Sequence, residues 1–97
     1  MRVIALRTLR EFWQRHSQAE DSLRSWYAVA SRASWDTPAD VKADYRHASF
    51  LENNRVIFNI KGNDYRLVAA IHYERGIIYV RFIGSHAEYD RISAETV

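Results

Sequence analysis

Three β-like segments near the end of the chain, separated by short glycine-containing connections, constrain the fold more than any other feature of the sequence. The segments cover residues 55–61, 64–73 and 77–84, and they are rich in alternating apolar and β-branched side chains. Gly62-Asn63 separates the first two segments, and Glu74-Arg75-Gly76 separates the last two. Because such short connections favour tight turns, the sequence predicts consecutive antiparallel hairpins.

The two connections also predict how the strands pair. A two-residue loop sets Lys61 opposite Asp64, and a three-residue loop with Gly76 as a bulge sets Tyr73 opposite Ile77. Since alternate residues of a strand point to opposite faces, this pairing predicts one continuous apolar face. The residues predicted on that face are Val56, Phe58, Ile60, Tyr65, Leu67, Ala69, Ile71, Ile77, Tyr79 and Ile83.

The first half of the chain has mainly helical periodicity. Residues 1–6 have strand character and could add an edge to the sheet. Thr8 and Ser17 each begin a capping-box pattern, which predicts two helices joined by a polar corner, and Thr37-Pro38 predicts the start of a third helix. Residues 44–54 are irregular and are expected to cross the surface as a loop. The helical hairpin would cover the apolar face of the sheet, so the predicted fold is α+β.

Length and composition limit the class of protein. The 97 residues favour one domain, residues 1–97, with a single core built from a chain that is 47% hydrophobic. The absence of cysteine excludes a disulfide framework and thiolate metal sites. Arg7 and Arg10 interrupt the opening apolar stretch before it could form a signal or a membrane span, so we expect a cytoplasmic protein that does not enter a membrane.

Charge and motif content narrow the functions that are compatible with the sequence. Lysine and arginine exceed aspartate and glutamate by 14 to 12, which gives a net charge of +2. This small excess of positive charge is compatible with RNA binding but is not evidence for it. The sequence has no phosphate-cradling glycine loop, no metal-ligand spacing and no nucleophile elbow. We therefore expect no metal and no other cofactor.

Polar residues gather at one end of the other predicted face of the sheet. Asn59 and Lys61 come from the first strand, Arg66 from the second and Gly84 from the third, whereas the far end of this face is apolar. His86 follows Gly84 by two residues and points the same way if the strand alternation continues. We place the candidate site at this polar end.

This set of side chains suits the cleavage of RNA by its own 2′-hydroxyl, which needs a base, an acid and positive donors for the phosphorane. Arg66 supplies a permanent planar cation, Lys61 supplies a second charge, and His86 is of the residue type that most often carries protons in catalysis. A helical turn would bring His86, Tyr89 and Asp90 to one side. Tyr89 could then stack on a base or donate its hydroxyl proton, and Asp90 could orient His86.

Each of these residues also has an ordinary structural interpretation. A strand arginine is often a solvated cross-strand partner, and a histidine near a terminus is often a surface residue. Arg81 shares its predicted face with apolar side chains, which favours an ion pair under the helices with Asp21 or Glu20 over a catalytic role. We assign no role to His47 or His72.

A distinctive series of motifs runs through the second half of the chain. Residues 56–71 contain a Phe-Asn strand, a Gly-Asn turn and a Tyr-Arg-Leu-Val strand, and residues 79–90 close with His-x-Glu-Tyr-Asp. In this order the motifs resemble those of the HigB toxin family. The resemblance is close over this half, and the first half agrees in its helical hairpin and in residues 35–38 followed by Tyr45.

The resemblance implies a RelE-like fold, with an N-terminal helical hairpin on one face of a mainly antiparallel sheet and a short C-terminal helix. In such proteins the opposite face receives messenger RNA in the ribosomal decoding site. The family relationship further implies the toxin of a type II toxin–antitoxin system, which cleaves messenger RNA without a metal and inhibits translation. Its expected partner is a HigA-type antitoxin with a helix-turn-helix domain.

The resemblance also implies roles for individual residues. Arg66 matches the strand arginine that holds the scissile phosphate, His86 falls where such toxins place a C-terminal basic catalytic residue, and Tyr89 lies close to the terminal tyrosine of several relatives. Few lysines lie near the site, so the general base could be His86 or Tyr89. Arg81 also fits the family pattern. The residues expected to be catalytic are therefore Arg66, His86 and Tyr89, and those expected to contact RNA are Lys61, Asn59, Asn63, Arg81 and Asp90.

Two other functions are compatible with the same fold. The chain could be a non-catalytic RelE-like module that binds a partner protein. It could also be a gyrase inhibitor like the relatives of the ParE type, which would block supercoiling and leave messenger RNA intact.

Overall fold

The chain has an α+β architecture of five strands and four helices in a computed structural model that describes all 97 residues. Two short 3-10 turns, Ser17–Ala19 and Tyr73–Arg75, precede the second helix and the fifth strand. None of the helices combines the length and apolar composition that a bilayer crossing requires. In chain order the elements are β1 (Arg2–Ile4), α1 (Leu6–Arg15), α2 (Glu20–Arg32), α3 (Pro38–Asp44), β2 (Ser49–Phe50), β3 (Arg55–Ile60), β4 (Tyr65–His72), β5 (Ile77–Ser85) and α4 (His86–Tyr89).

The strands form one mixed sheet in the order β1-β5-β4-β3-β2. The strands β2 to β5 pair antiparallel with their neighbours, as their short connections require. β1 pairs in parallel with β5 at the opposite edge, which confirms that the first residues extend the sheet. The prediction for residues 44–54 was incomplete, because Ser49–Phe50 forms a short strand within that loop.

The main hydrophobic core lies between the helical hairpin and one face of the sheet. α1 buries three residues at helical spacing, and α2 repeats the same pattern. The Trp26 ring of α2 meets the Phe58 ring of β3 edge to face, with centroids 5.4 Å apart. Each large apolar side chain buried here stabilises the fold by roughly 1.5–3 kcal/mol. The buried helical residues are Leu9, Phe12, Trp13, Leu23, Trp26 and Ala30.

The helix boundaries confirm the predicted N-cap at Thr37 and correct both predicted capping boxes. Thr37 caps α3: its hydroxyl accepts the Asp40 backbone N–H, and the Asp40 carboxylate accepts the Thr37 N–H. Thr8 was wrong as a cap, because α1 begins at Leu6, directly after the extended residue Ala5. Ser17 was also wrong, since it opens a 3-10 turn that leads into α2 without a side-chain cap.

The two hairpins differ in how well the sequence predicted them. The first pairs Ile60 with Tyr65, as predicted, and the Asp64 N–H donates to the Lys61 carbonyl at 3.2 Å. The second connection is longer than predicted. Tyr73–Arg75 forms a 3-10 turn that ends at Gly76 with a left-handed φ of 65°, so His72 rather than Tyr73 pairs with Ile77.

The longer turn shifts the pairing of β4 with β5 by one residue, and a β-bulge in β5 compensates for this shift. Val68 pairs with Phe82 and Ala69 with Val80, which leaves Arg81 as the extra residue. Before the bulge, the prediction of faces was wrong for Ile77 and Tyr79. Val80 points toward the helices together with Ile78, whereas Ile77 and Tyr79 point away from them. After the bulge, Ile83 and Gly84 return to the faces predicted for them.

The sheet face opposite the helices is covered over its apolar part by the end of the chain. Ile57 and Val68 form a second buried cluster with Ala94. The guanidinium of Arg55 and the amide of Asn53 hold this last segment through backbone oxygens of Val97 and Glu95, at 2.8 Å and 3.1 Å. The half-buried residues that pack around the cluster are Leu51, Phe82, Tyr89, Ile92 and Val97.

Candidate active site

The uncovered end of this face carries a row of polar residues across three strands. The register places Arg66 of β4 between Asn59 of β3 and Gly84 of β5. A Cβ at Gly84 would lie 2.6 Å from Cζ of Phe82 and 3.2 Å from Cβ of Glu88. Glycine therefore lets α4 approach the sheet beside Arg66.

Arg66 is the cation at the centre of this row. It is half-buried, and its Nη1 donates weakly to the carbonyls of Asn63 and Tyr65, at 3.3 Å and 3.5 Å. The side chain forms no ion pair within the chain. Because guanidinium stays protonated, its remaining N–H donors are available to an external anion such as phosphate.

The helix α4 begins directly after β5 and presents His86 next to the row. Ser85 caps this helix: its hydroxyl accepts the Glu88 N–H at 3.2 Å, and the Glu88 carboxylate accepts the Ser85 N–H at 2.8 Å. One turn later, Asp90 lies 3.5 Å from Nδ1 of His86, with the side chains 65% and 55% exposed. The predicted proximity of His86 and Asp90 is confirmed, and the carboxylate can hold the ring in one orientation.

Basic residues at the end of α1 lie close to α4, and the sequence reading did not include them in the site. The pKa of Glu88 is lowered chiefly by the backbone N–H of Ser85, and the charges of His16 and Arg15 lower it further. The His16 ring stacks on Phe12 with centroids 4.3 Å apart. His16 also contacts Tyr65, and the register that pairs Tyr65 with Ser85 brings the end of α1 close to α4.

Tyr89 is held against the sheet. It is half-buried, its ring centroid lies 6.5 Å from that of Phe82, and it packs on the cluster of Ile57, Val68 and Ala94. Only part of the side chain therefore faces the solvent at the polar end. The contact gives Tyr89 a structural role whatever its hydroxyl does.

Arg81 lies outside the polar row, and its predicted ion pair under the helices was wrong. The bulge turns the exposed Arg81 side chain so that its Nε donates to the backbone oxygen of Val97 at 3.1 Å. The carboxylate of Glu20 instead bonds Arg24 at 2.7 Å on the surface of α2. Arg81 thus holds the segment that covers the apolar part of the face.

The remaining predicted residues lie around the turn between β3 and β4. Lys61 is exposed in the turn itself, with a φ of 52°. It was predicted to continue the alternation of β3, and that prediction was wrong because β3 ends at Ile60. It borders a depression on the α2 side, which also includes Asn59 and Gly62. Asn59 and Asn63 are exposed and line a larger groove of about 540 Å³.

The larger groove was not predicted from the sequence. One wall is the segment between α3 and β2, which contributes Arg46 and His47. The floor is formed partly by Tyr45, whose phenol has a pKa raised to about 12 by burial and by the charge of Asp44. The phenol therefore stays neutral near pH 7 and adds no negative charge to the groove.

The structure thus brings most of the predicted site residues to one end of the sheet. Arg66, Asn59 and Asn63 are neighbours, and His86 lies two residues beyond the Gly84 that pairs with Arg66. Neither Arg66 nor His86 lies beneath the helices. The site is an open rim that carries one unpaired guanidinium and one histidine paired with a carboxylate.

Comparison with known proteins identifies the family to which the chain belongs. The model of the HigB toxin family, described as the RelE-like toxic component of a toxin–antitoxin system, matches residues 19–92. The chain therefore belongs to the HigB toxin family, and its α+β fold is the RelE-like fold that the sequence resemblance implied.

Two curated relatives span nearly the whole chain. The mRNA interferase HigB of Escherichia coli O6:H1 is 23% identical over 95 residues, which are 96% of this chain and 92% of the relative. The mRNA interferase toxin HigB of Escherichia coli K12 is 24% identical over 96 residues, which are 97% of this chain and 92% of the relative. The similarity thus extends to the helical hairpin as well as to the sheet.

Proposed function

We propose that this chain is an mRNA interferase that cleaves messenger RNA on the ribosome, in the cytoplasm, and thereby arrests translation. The observation that carries the proposal is the unpaired Arg66 guanidinium in an open polar row, next to the helix that presents His86. The names of the relatives, both mRNA interferases, support the same activity. A HigA-type antitoxin is the proposed partner that neutralises it.

The proposed reaction uses the RNA's own 2′-hydroxyl as nucleophile. His86, oriented by Asp90, takes the hydroxyl proton, and the resulting oxygen attacks the adjacent phosphorus. Arg66 stabilises the negative charge of the phosphorane. The bond to the 5′-oxygen breaks, and Tyr89 supplies the proton that this leaving oxygen needs. The products are a 2′,3′-cyclic phosphate and a 5′-hydroxyl end.

The test is inducible expression in bacteria without any antitoxin, with primer extension on the messenger RNA recovered after induction. We expect growth to stop and new 5′ ends to appear within coding regions. His86→Gln should relieve both effects while the circular dichroism spectrum of the purified variant stays unchanged. Normal growth with intact messenger RNA would overturn the proposal, and inhibition of supercoiling with intact messenger RNA would assign the chain to gyrase inhibition instead.

A further inference from the structure

The groove beside the β3–β4 turn has a composition that suits a single-stranded nucleic acid. Arg46 and His47 are exposed, and neither forms an ion pair or a side-chain hydrogen bond within the chain. The one carboxylate of the groove, on Asp44, already accepts the indole N–H of Trp35 at 2.9 Å. The indole is neutral, so this bond leaves the charge of the carboxylate in place, and the groove carries charges of both signs. The charged groups that remain free to bind a ligand are the side chains of Arg46 and His47, and they suit the phosphate of a nucleic acid.

The backbone of the sheet edge adds hydrogen-bonding groups to this groove. The short strand β2 pairs only with Val56 and Ile57, so it stops before Asn59. The bond from the Ile71 N–H to the Asn54 carbonyl sets the alternation along β3 and β4. In that alternation Asn59 directs its own N–H and carbonyl away from β4, toward the free edge. Backbone and side-chain groups of Asn59 thus face one open space.

The groove is continuous with the candidate active site because both include Asn59. That residue pairs with Arg66 in the sheet and also lines the groove. An RNA strand whose scissile phosphate lies at Arg66 can therefore extend along the free edge, past Asn59, toward Arg46 and His47. The volume of about 540 Å³ is of the size of binding sites for small organic ligands, and so has room for a nucleotide.

We propose that this groove is an RNA subsite that binds the nucleotide next to the cleaved one. In it, Arg46 and His47 contact phosphate, while the amides of Asn59 and Asn63 contact the edge of the base. The inference rests on the proposed function and deepens it, because it names residues that position the RNA without touching the reacting atoms. Phosphate contacts set affinity and its salt dependence, and the base contacts set nucleotide preference.

The test measures binding of a short fluorescent single-stranded RNA whose 2′-hydroxyls are methylated, so that it cannot be cleaved. Arg46→Ala should weaken binding about 3- to 10-fold and reduce the slope of log affinity against log salt by about 0.7, the value for one phosphate contact on a single strand. Arg75→Ala is the matched control. Arg75 is an exposed arginine without an ion pair in the turn at the other end of β5, and its loss should leave affinity and slope unchanged.

A second measurement does not depend on a variant. Titration of the wild-type protein with a 2′-O-methyl trinucleotide should shift the backbone amide resonances of His47, Asn59 and Asn63 more than those of the turn at Tyr73–Arg75. Unchanged affinity and salt slope in Arg46→Ala, or absent shifts at His47 and Asn59, would overturn the subsite. The proposed function would still stand if primer extension showed cleavage.

The free edge could instead pair with a strand of a protein partner. Substitutions of Arg46 and His47 that leave RNA affinity intact and weaken only the capture of a co-expressed HigA-type antitoxin would show that outcome. That result would also overturn the RNA subsite. Failure of the wild-type protein to bind or cleave any RNA would overturn both proposals together.

Discussion

The two ends of the sheet face opposite the helices differ sharply, although the same three strands build both. At one end, Ile57 and Val68 are buried under the last segment of the chain. At the other end, Asn59 and Arg66 are left uncovered, although each lies only two residues from the buried residue of its own strand. The covered end contributes to stability, and the open end exposes a cation that the chain does not neutralise. The same strands therefore carry apolar side chains that stabilise the fold at one end and polar side chains that are free to bind a ligand at the other.

The strongest test of this comparison substitutes one residue at each end. Arg66→Ala should reduce RNA cleavage by about 100- to 1,000-fold, as the loss of a donor to a transition-state anion does, and leave thermal stability almost unchanged. Ile57→Ala should do the reverse and reduce the free energy of unfolding by about 2–4 kcal/mol. Cleavage assays and urea titrations on both variants check the expectation. Equal loss of stability in both would show that Arg66 is chiefly structural.

Tyr89 lies at the border between the two ends, and two substitutions separate its contributions. Tyr89→Phe keeps the ring on Phe82 and removes the hydroxyl, so activity should fall about 100-fold without a change in stability if the hydroxyl protonates the leaving oxygen. Tyr89→Ala should lower both the cleavage activity and the stability. Melting curves and single-turnover cleavage rates give the two readouts. A fully active Tyr89→Phe protein would limit Tyr89 to packing.

The smallest expected effect concerns the cap that holds α4 at the open end. The pKa of Glu88 lies below its ordinary value of 4.5 because the carboxylate accepts the Ser85 N–H. Its charge therefore stabilises the fold above pH 4.5, and this contribution is lost as the pH falls through the lowered pKa. Glu88→Gln keeps an acceptor at this position and removes the charge.

We expect Glu88→Gln to lower Tm by about 1 to 3 °C at pH 7, because an exposed charge near a helix start contributes little. The difference from the wild-type protein should diminish as the pH falls below 4.5 and through the lowered pKa of Glu88. Melting curves across this range check the sign, and a difference that grows on acidification would contradict it.

The parts of the fold that were predicted correctly depend on local chemistry. Thr37 caps the helix that begins at Pro38, and the Gly62-Asn63 turn closes a hairpin between adjacent segments. The second hairpin was mispredicted because a 3-10 turn at Tyr73–Arg75 and a bulge at Arg81 offset each other. Two irregularities that compensate leave the apolar pattern at the end of β5 intact, so alternation alone does not reveal them.

The candidate site likewise has a part that local sequence patterns predict and a part that they do not. The polar cluster of Asn59, Arg66 and His86 could be predicted because strand alternation and hairpin register relate residues that are close in sequence. Arg46 and His47 could not be placed beside Asn59 in this way. Their position depends on where the short β2 stops, and the preceding loop has no periodic pattern that would set its path.

The sequence by itself determined the alternating strands, the glycine turn and the accumulation of polar residues at one end of a sheet face, because these follow from backbone conformation and side-chain periodicity over a few residues. Only the tertiary structure decided that the end of the chain covers the apolar part of that face, that Arg81 holds it in place and that a groove with two exposed basic side chains borders the open part. Those outcomes depend on contacts between residues distant in sequence, whose formation is decided by how whole segments pack.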